Sequence, residues 1–250
     1  MNEPTNKKVY FASDFHLGAP THEKSIIREK KICEWLDSIK PTCLELFLVG
    51  DIFDFWFEYK HAVPKGFVRL LGKLAEFTDS GIPVHLFIGN HDMWAFDYLP
   101  KEIGINIFYE PIRREILGKR FYIGHGDGLG PGDHTYKILK KVFRNKFIQS
   151  LFGFIHPNIG IGLADFLSKR SRAKSGHLDE VFLGEEKEWL IHYSKEQFNI
   201  NPVDYFVFGH RHLPIYHPIY DAKYINTGDW IKYCTFGEFD GEIFNLKVWD

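Results

Sequence analysis

The sequence predicts an α/β layered fold. Two observations carry that prediction: short β-branched and aromatic runs that each stop at a polar cluster containing glycine, and segments of helically spaced apolar residues between them. The 250 residues are 44% hydrophobic and 26% charged, enough to bury a substantial core and far from the composition of disordered chains. Strands are expected at Lys8–Ser13, Cys43–Val49, Pro83–Ile88, Phe121–Gly124 and Val203–Phe208. The first helix is expected over His22–Ile39, where Ile26, Ile32, Trp35, Leu36 and Ile39 share a face, and a second over Val63–Thr78 through Phe67, Leu70, Leu71, Leu74 and Phe77. The C-terminal third reads as a meander of Ala222–Asn226, Ile231–Glu238 and Glu242–Trp249, with Asp240-Gly241 as a two-residue hairpin turn. A second sheet, mixed or antiparallel, is therefore expected.

The region Lys137–Lys174 breaks the alternation. It holds nine Lys or Arg and one acid, Asp165, so it carries +8 while the remaining residues carry −10. KILKKVFRNKF is a candidate basic amphipathic helix, followed by the apolar FGFIHPNIGIGLADFL and the basic SKRSRAK. The expectation is a single domain over residues 1–250 with a helical insertion at about 134–176. A net charge of −2 argues against capture of nucleic acid by the whole molecule. Cys33, Cys43 and Cys234 are odd in number and outside any paired-cysteine motif, which excludes a disulfide framework and points to a reducing compartment. The polar start MNEPTNKK leads straight into a strand with no signal-peptide apolar region, and no run reaches roughly 18 uninterrupted apolar residues.

Each expected strand end delivers side chains of the metal-binding type: Asp14 and His16 in SDFHLG, Asp51 and Asp54 in GDIFDFW, Asn90, His91 and Asp92 in GNHD, His125 and Asp127 in HGD, and His210 and His212 in GHRH. Residues two apart on an extended segment point the same way, so Asp14/His16 and His210/His212 are each expected to present two ligands to one side. Adjacent glycines allow tight turns around a small centre. Imidazole, carboxylate and one amide without thiolate favour Mn, Fe or Zn over an iron–sulfur centre. Seven or more ligands exceed the needs of one ion. Two ions roughly 3.5–4 Å apart would share a carboxylate, for which Asp51 is the candidate, and would clamp both oxygens of a phosphoryl displacement while acidifying water.

The ordered series D-x-H, G-D-x-x-D, G-N-H-D, H and G-H-x-H over positions 14 to 212 resembles the signature of the calcineurin-like metallophosphoesterases. That resemblance implies a two-sheet sandwich flanked by helices. It implies one ion held by Asp14, His16, Asp51 and His212 and another by Asp51, Asn90, His125 and His210, with His91 stabilising or protonating the transition state. NTGDW at Asn226–Trp230 is similar to a late element of the same family. Asp54 and Asp92 stand where they would orient the ligand or catalytic imidazoles.

Within that family the chain is most similar to the UDP-2,3-diacylglucosamine pyrophosphohydrolases, through its size, GDIFDFW, HGDGLGPGD and the basic-apolar insertion. It departs at His91, where that group often carries Arg, and RAKSG matches its substrate-binding stretch only loosely. The resemblance implies a nucleotide-lipid substrate held by Asp133, Arg170, Arg172, Lys174 and Ser175, two divalent ions (Mn²⁺ first, Fe or Zn otherwise), and a cytoplasmic enzyme peripheral on the inner leaflet of the membrane. It implies no nucleic-acid partner and no obligate protein partner. A nucleotide or cyclic-nucleotide phosphodiesterase of the same fold and a non-catalytic membrane-binding module stand as alternatives.

Overall fold

The computed structural model describes residues 7–132, 134–164, 181–182 and 184–250. Strands β1 (Lys8–Ala12), β2 (Cys43–Leu48), β3 (Val84–Phe87) and β4 (Asn106–Phe108) run parallel in one sheet. β5 (Ile112–Ile116), β6 (Lys119–Ile123), β7 (Tyr205–Phe208), β8 (Pro214–Ile219) and β9 (Ala222–Thr227) form a second, mixed sheet in the order β5-β6-β7-β9-β8. β10 (Thr235–Phe239) and β11 (Phe244–Val248) complete the first, giving β11-β10-β1-β2-β3-β4.

Period-two alternation builds the layers. Val9 and Phe11 of β1 enter the core between the sheets with Phe47, Val49, Phe121, Val207 and Ile225. Tyr10 and Ala12 point the other way, into a core closed by α1 (His22–Ile39), α2 (Val68–Asp79) and α3 (Tyr98–Ile103). On the far side of the second sheet, Phe206, Phe208 and Tyr224 pack on Leu190 and Ile191 of α7 (Trp189–Ile200). The result is the two-sheet sandwich flanked by helices.

Several expectations are corrected. α2 starts at Val68 rather than Val63, because Pro64 and Gly66 precede it and Phe67 sits left-handed at φ 61°. The C-terminal meander does not form: β9 stays in the second sheet, whereas β10 crosses to pair antiparallel with β1. The last hairpin pairs Phe239 with Phe244, so its loop is Asp240–Ile243 rather than two residues, and Asp240 Oδ1 accepts the N–H groups of Glu242 and Ile243.

The expected basic helix is two helices, α4 (His134–Phe143) and α5 (Lys146–Gly153), because the Asn145 side chain caps α5 by accepting from the N–H groups of Phe147 and Ile148. α6 follows, described over residues 157–164. This insertion docks through aromatic contacts: Phe152 lies 4.6 Å from Trp94 and 4.7 Å from Phe57, and Trp94 Nε1 donates to the Phe143 carbonyl at 2.7 Å. Among the described residues no helix is long and apolar enough to cross a membrane.

Candidate metal centre

Metal-type side chains leave the C-terminal ends of parallel strands in both sheets: Asp14 and His16 after β1, Asp51 and Asp54 after β2, Asn90 and His91 after β3, His125 after β6, His210 and His212 after β7. Open parallel sheets place their ligand sites at that end. The route differs from the one the sequence suggests. Asp14, His16, Asp51, His210 and His212 all have positive φ (55°, 43°, 54°, 71° and 53°), so the paired side chains converge through left-handed turns and not through strand alternation.

Two glycines make room for this. A Cβ on Gly89 would lie 2.2 Å from Asp51 Oδ1, and one on Gly50 would lie 2.3 Å from His125 Nδ1.

The side chains gather into three groups able to hold a cation: Asp14/His16/His212, His16/Asp51/His91 and Asp51/His125/His210. Asp51 lies between the others. Its Oδ2 is 3.7 Å from His16 Nε2 and 3.3 Å from His125 Nε2, while its Oδ1 accepts the His91 N–H at 2.9 Å. His16 Nε2 and His212 Nε2 are 3.2 Å apart, and His212 Nε2 is 3.5 Å from Asp14 Oδ1. Asn90 Oδ1 is 3.4 Å from His125 Nε2, which brings the amide to the second group.

Polar contacts behind the site set the orientation of the rings. His125 Nδ1 donates to the Val49 carbonyl at 2.8 Å, which turns Nε2 toward Asp51. His91 Nδ1 likewise donates to the Asp54 carbonyl at 2.9 Å, and Asp54 Oδ1 is 3.5 Å from His16 Nδ1. Asp92 acts on backbone: its carboxylate accepts the N–H groups of Ile52 and Gly89, tying the Asp51 loop to the Asn90 loop.

Asp229, inside NTGDW, places Oδ2 3.5 Å from His212 Nδ1 while its Oδ1 accepts from the N–H groups of Lys232 and Tyr233. The NTGDW resemblance was the sequence signal for that residue, though not for its role. Asp127 is in none of the three groups; it accepts from the Tyr136 hydroxyl at 2.6 Å and pairs with Lys140 at 2.6 Å, which anchors α4 to the His125 loop. Asp133, Arg170, Arg172, Lys174 and Ser175 lie outside the described residues.

The electrostatics are those of buried carboxylates among imidazoles. Asp14 and Asp51 are fully buried carboxylates; burial alone would protonate them, and the surrounding imidazoles hold both below the usual carboxylate range. Burial opposes a proton on His125, yet the charge of Asp51 and the hydrogen bond to it lift His125 to about 10. Burial pushes His91 and His210 down to about 4. Burial and the charge of Asp51 push Asp92 up to about 7. A proton on His125 thus does what a cation would do, and the donor set of carboxylate, imidazole and amide fits divalent metal.

The profile of the calcineurin-like phosphoesterase family matches residues 7–214. The chain belongs to the calcineurin-like phosphoesterases. As a member of that family it is a metal-dependent hydrolase of phosphoesters or phosphoanhydrides. It is 38% identical to the UDP-2,3-diacylglucosamine hydrolase of Porphyromonas gingivalis over 96% of this chain and 97% of that one. It is 27% identical to the protein of the same name from Hahella chejuensis over 96% and 98%. With the one from Proteus mirabilis it shares 28% over 84% and 83%.

Proposed function

We propose that this phosphoesterase holds two divalent cations, Mn²⁺ in the first place, and cleaves the pyrophosphate of UDP-2,3-diacylglucosamine to UMP and 2,3-diacylglucosamine 1-phosphate. The observation that carries the two-ion reading is the position of Asp51 Oδ2 between His16 and His125. The choice of substrate is supported by the relatives of that name, which align along nearly the whole chain.

Asp14, His16, Asp51 and His212 would hold one ion and Asp51, Asn90, His125 and His210 the other. When bound, the ions supply positive charge to the phosphoryl oxygens and acidify water. The chain's own residues do the rest. Val49 and Asp54 fix the tautomers of His125 and His91 through their carbonyls, and Asp229 steers His212. His91 Nδ1 donates to the Asp54 carbonyl, and burial lowers its pKa to about 4 against the charge of Asp51. It would stabilise or protonate the transition state.

The insertion is proposed to act as a lid within a single domain. Beside it lies a cleft of about 450 Å³ walled by Phe57, Tyr59, Phe96 and Phe154, with Lys60 and Lys146 also lining it. Aromatic walls suit acyl chains and the cations suit phosphate. Asp133, Arg170, Arg172, Lys174 and Ser175 are the proposed substrate contacts, and the exposed apolar face of α4–α6 is proposed to rest on an anionic inner leaflet.

The test is a mass-spectrometric product assay on protein stripped of metal and reloaded with Mn²⁺. Metal-dependent release of UMP from the lipid is the expected result. Cleavage of nucleotides or phosphodiesters without turnover of the lipid would overturn the substrate while leaving the chemistry, and would favour the phosphodiesterase alternative.

A further inference from the structure

Arg211 stands between His210 and His212 and turns away from the cluster they join. It is only 4% exposed, and its Nε donates to both oxygens of Glu188, itself buried, at 3.1 and 3.0 Å. Its guanidinium lies 4.7 Å over the Trp189 ring, whose edge meets His210 at 6.4 Å. The Glu188 carbonyl accepts the N–H groups of Ile191 and His192, so the same residue opens α7.

The first two residues of α7 reach the other ligand loop. A Cβ on Gly126 would come within 3.0 Å of Leu190, and one on Gly130 within 2.7 Å of the Trp189 carbonyl. The start of α7 is thus wedged between the loop that carries His125 and the loop that carries His210. Burying an ion pair is costly, and replacing one by apolar residues of similar volume is often neutral. A planar cation with a fixed fork does, however, set the angle of the strained backbone between two left-handed histidines better than an apolar contact could.

We propose that Arg211, locked by Glu188 and Trp189, is a positioning residue for the cation held by Asp51, Asn90, His125 and His210. The proposal rests on the two-ion reading of the site. The other ion is less dependent on Arg211, because His212 has its own support in Asp229.

Because Arg211→Met alone would take from buried Glu188 the guanidinium that donates to it, the deciding variant is the double replacement Arg211→Met with Glu188→Met, which removes both charges at similar volume. Arg211→Lys, which keeps the charge and loses the fork, accompanies it. Metal-stripped proteins are titrated with Mn²⁺ by calorimetry and electron paramagnetic resonance, with His210→Ala and His212→Ala identifying each site and thermal unfolding read on the stripped protein.

The expected result is a loss of about 10–100-fold in affinity at the His210 site, within the range seen when groups behind a ligand are removed. The His212 site should change by less than about threefold, and the Tm of the stripped protein should hold. Arg211→Lys should fall between the double variant and the wild type. Wild-type affinity at both sites in either variant, or equal loss at both sites together with a collapse of Tm, would overturn the positioning role. A wild-type protein that binds one ion only would overturn the two-ion reading and the inference with it.

Discussion

At φ 54° Asp51 holds a backbone conformation that costs a non-glycine residue roughly 1–3 kcal/mol, and Asp14, His16, His210 and His212 share it. Such strain persists only where surrounding bonds over-determine it; here Asp92 clamps the amides of Ile52 and Gly89, and Asp51 itself accepts from the His91 N–H. Residue types and spacing made the gathering of these side chains legible, but not the left-handed geometry, because five strained turns next to one another depend on contacts between loops far apart in sequence. His91→Ala is expected to lower kcat by about 10²–10⁴-fold with two ions still bound, as befits a group that acts on the transition state; loss of metal in that variant would move His91 into the ligand shell. A second prediction concerns pH in the stripped protein. His125 titrates near 6.5 when unfolded and near 10 when folded, so its stabilising proton is fully present below about pH 6.5 and is lost as pH rises toward 10. The Tm of stripped protein should therefore fall between about pH 7 and 10, and Mn²⁺ should flatten that fall by replacing the proton. Parallel curves with and without Mn²⁺ would refute the exchange of proton for metal.

Among the elements, α1 matched its expected bounds because its apolar spacing is continuous and Thr21 caps it, accepting from the Lys24 N–H. The edge strands β4, β5 and β8 went unseen: β4 has three residues, β5 reads IRREI, and β8 contains Pro214 and Pro218, which only an edge tolerates. The insertion shows the limits of pattern in another way. Its basic-apolar character was plain, yet one capping side chain, Asn145, divided the expected helix. The aromatic residues after Asp51 turned out to serve two purposes, with Phe53 and Trp56 in the core and Phe57 against Phe152 of α5. Phe147 and Phe154, 75% and 86% exposed, are the side chains that a membrane would cover. Phe147→Asp with Phe154→Asp is expected to cut binding to vesicles of anionic lipid about tenfold or more, since each substitution exchanges apolar burial for charge repulsion. Undiminished co-sedimentation would remove the membrane from the account.

On the scale of the whole molecule, one aromatic cluster holds the sheets in register and so holds the site, whose ligands come from both. Phe121 of the second sheet stacks on Phe11 of the first at 5.8 Å and on Tyr205 at 4.9 Å, and meets the edge of Phe239 at 5.1 Å. Phe121→Ala should cost about 3–5 kcal/mol by urea unfolding. It should weaken Mn²⁺ binding as well, although it lies outside all three ligand groups. A loss under about 1 kcal/mol would mean that the sheets are held elsewhere.

The sequence by itself determined the layered α/β class, the strand ends that carry chemistry and the family they signal, and it supplied the seven proposed ligands, because residue type and short-range periodicity are local properties of the chain. Tertiary structure alone decided that Asp51 stands between His16 and His125, that β10 returns to β1, that Asp229 backs His212 and that Arg211 grips Glu188. Each of these joins residues that are distant in sequence, and the partner chosen depends on which buried polar group can be satisfied and which apolar face can be covered once the sheets have met, a free energy that no local window contains.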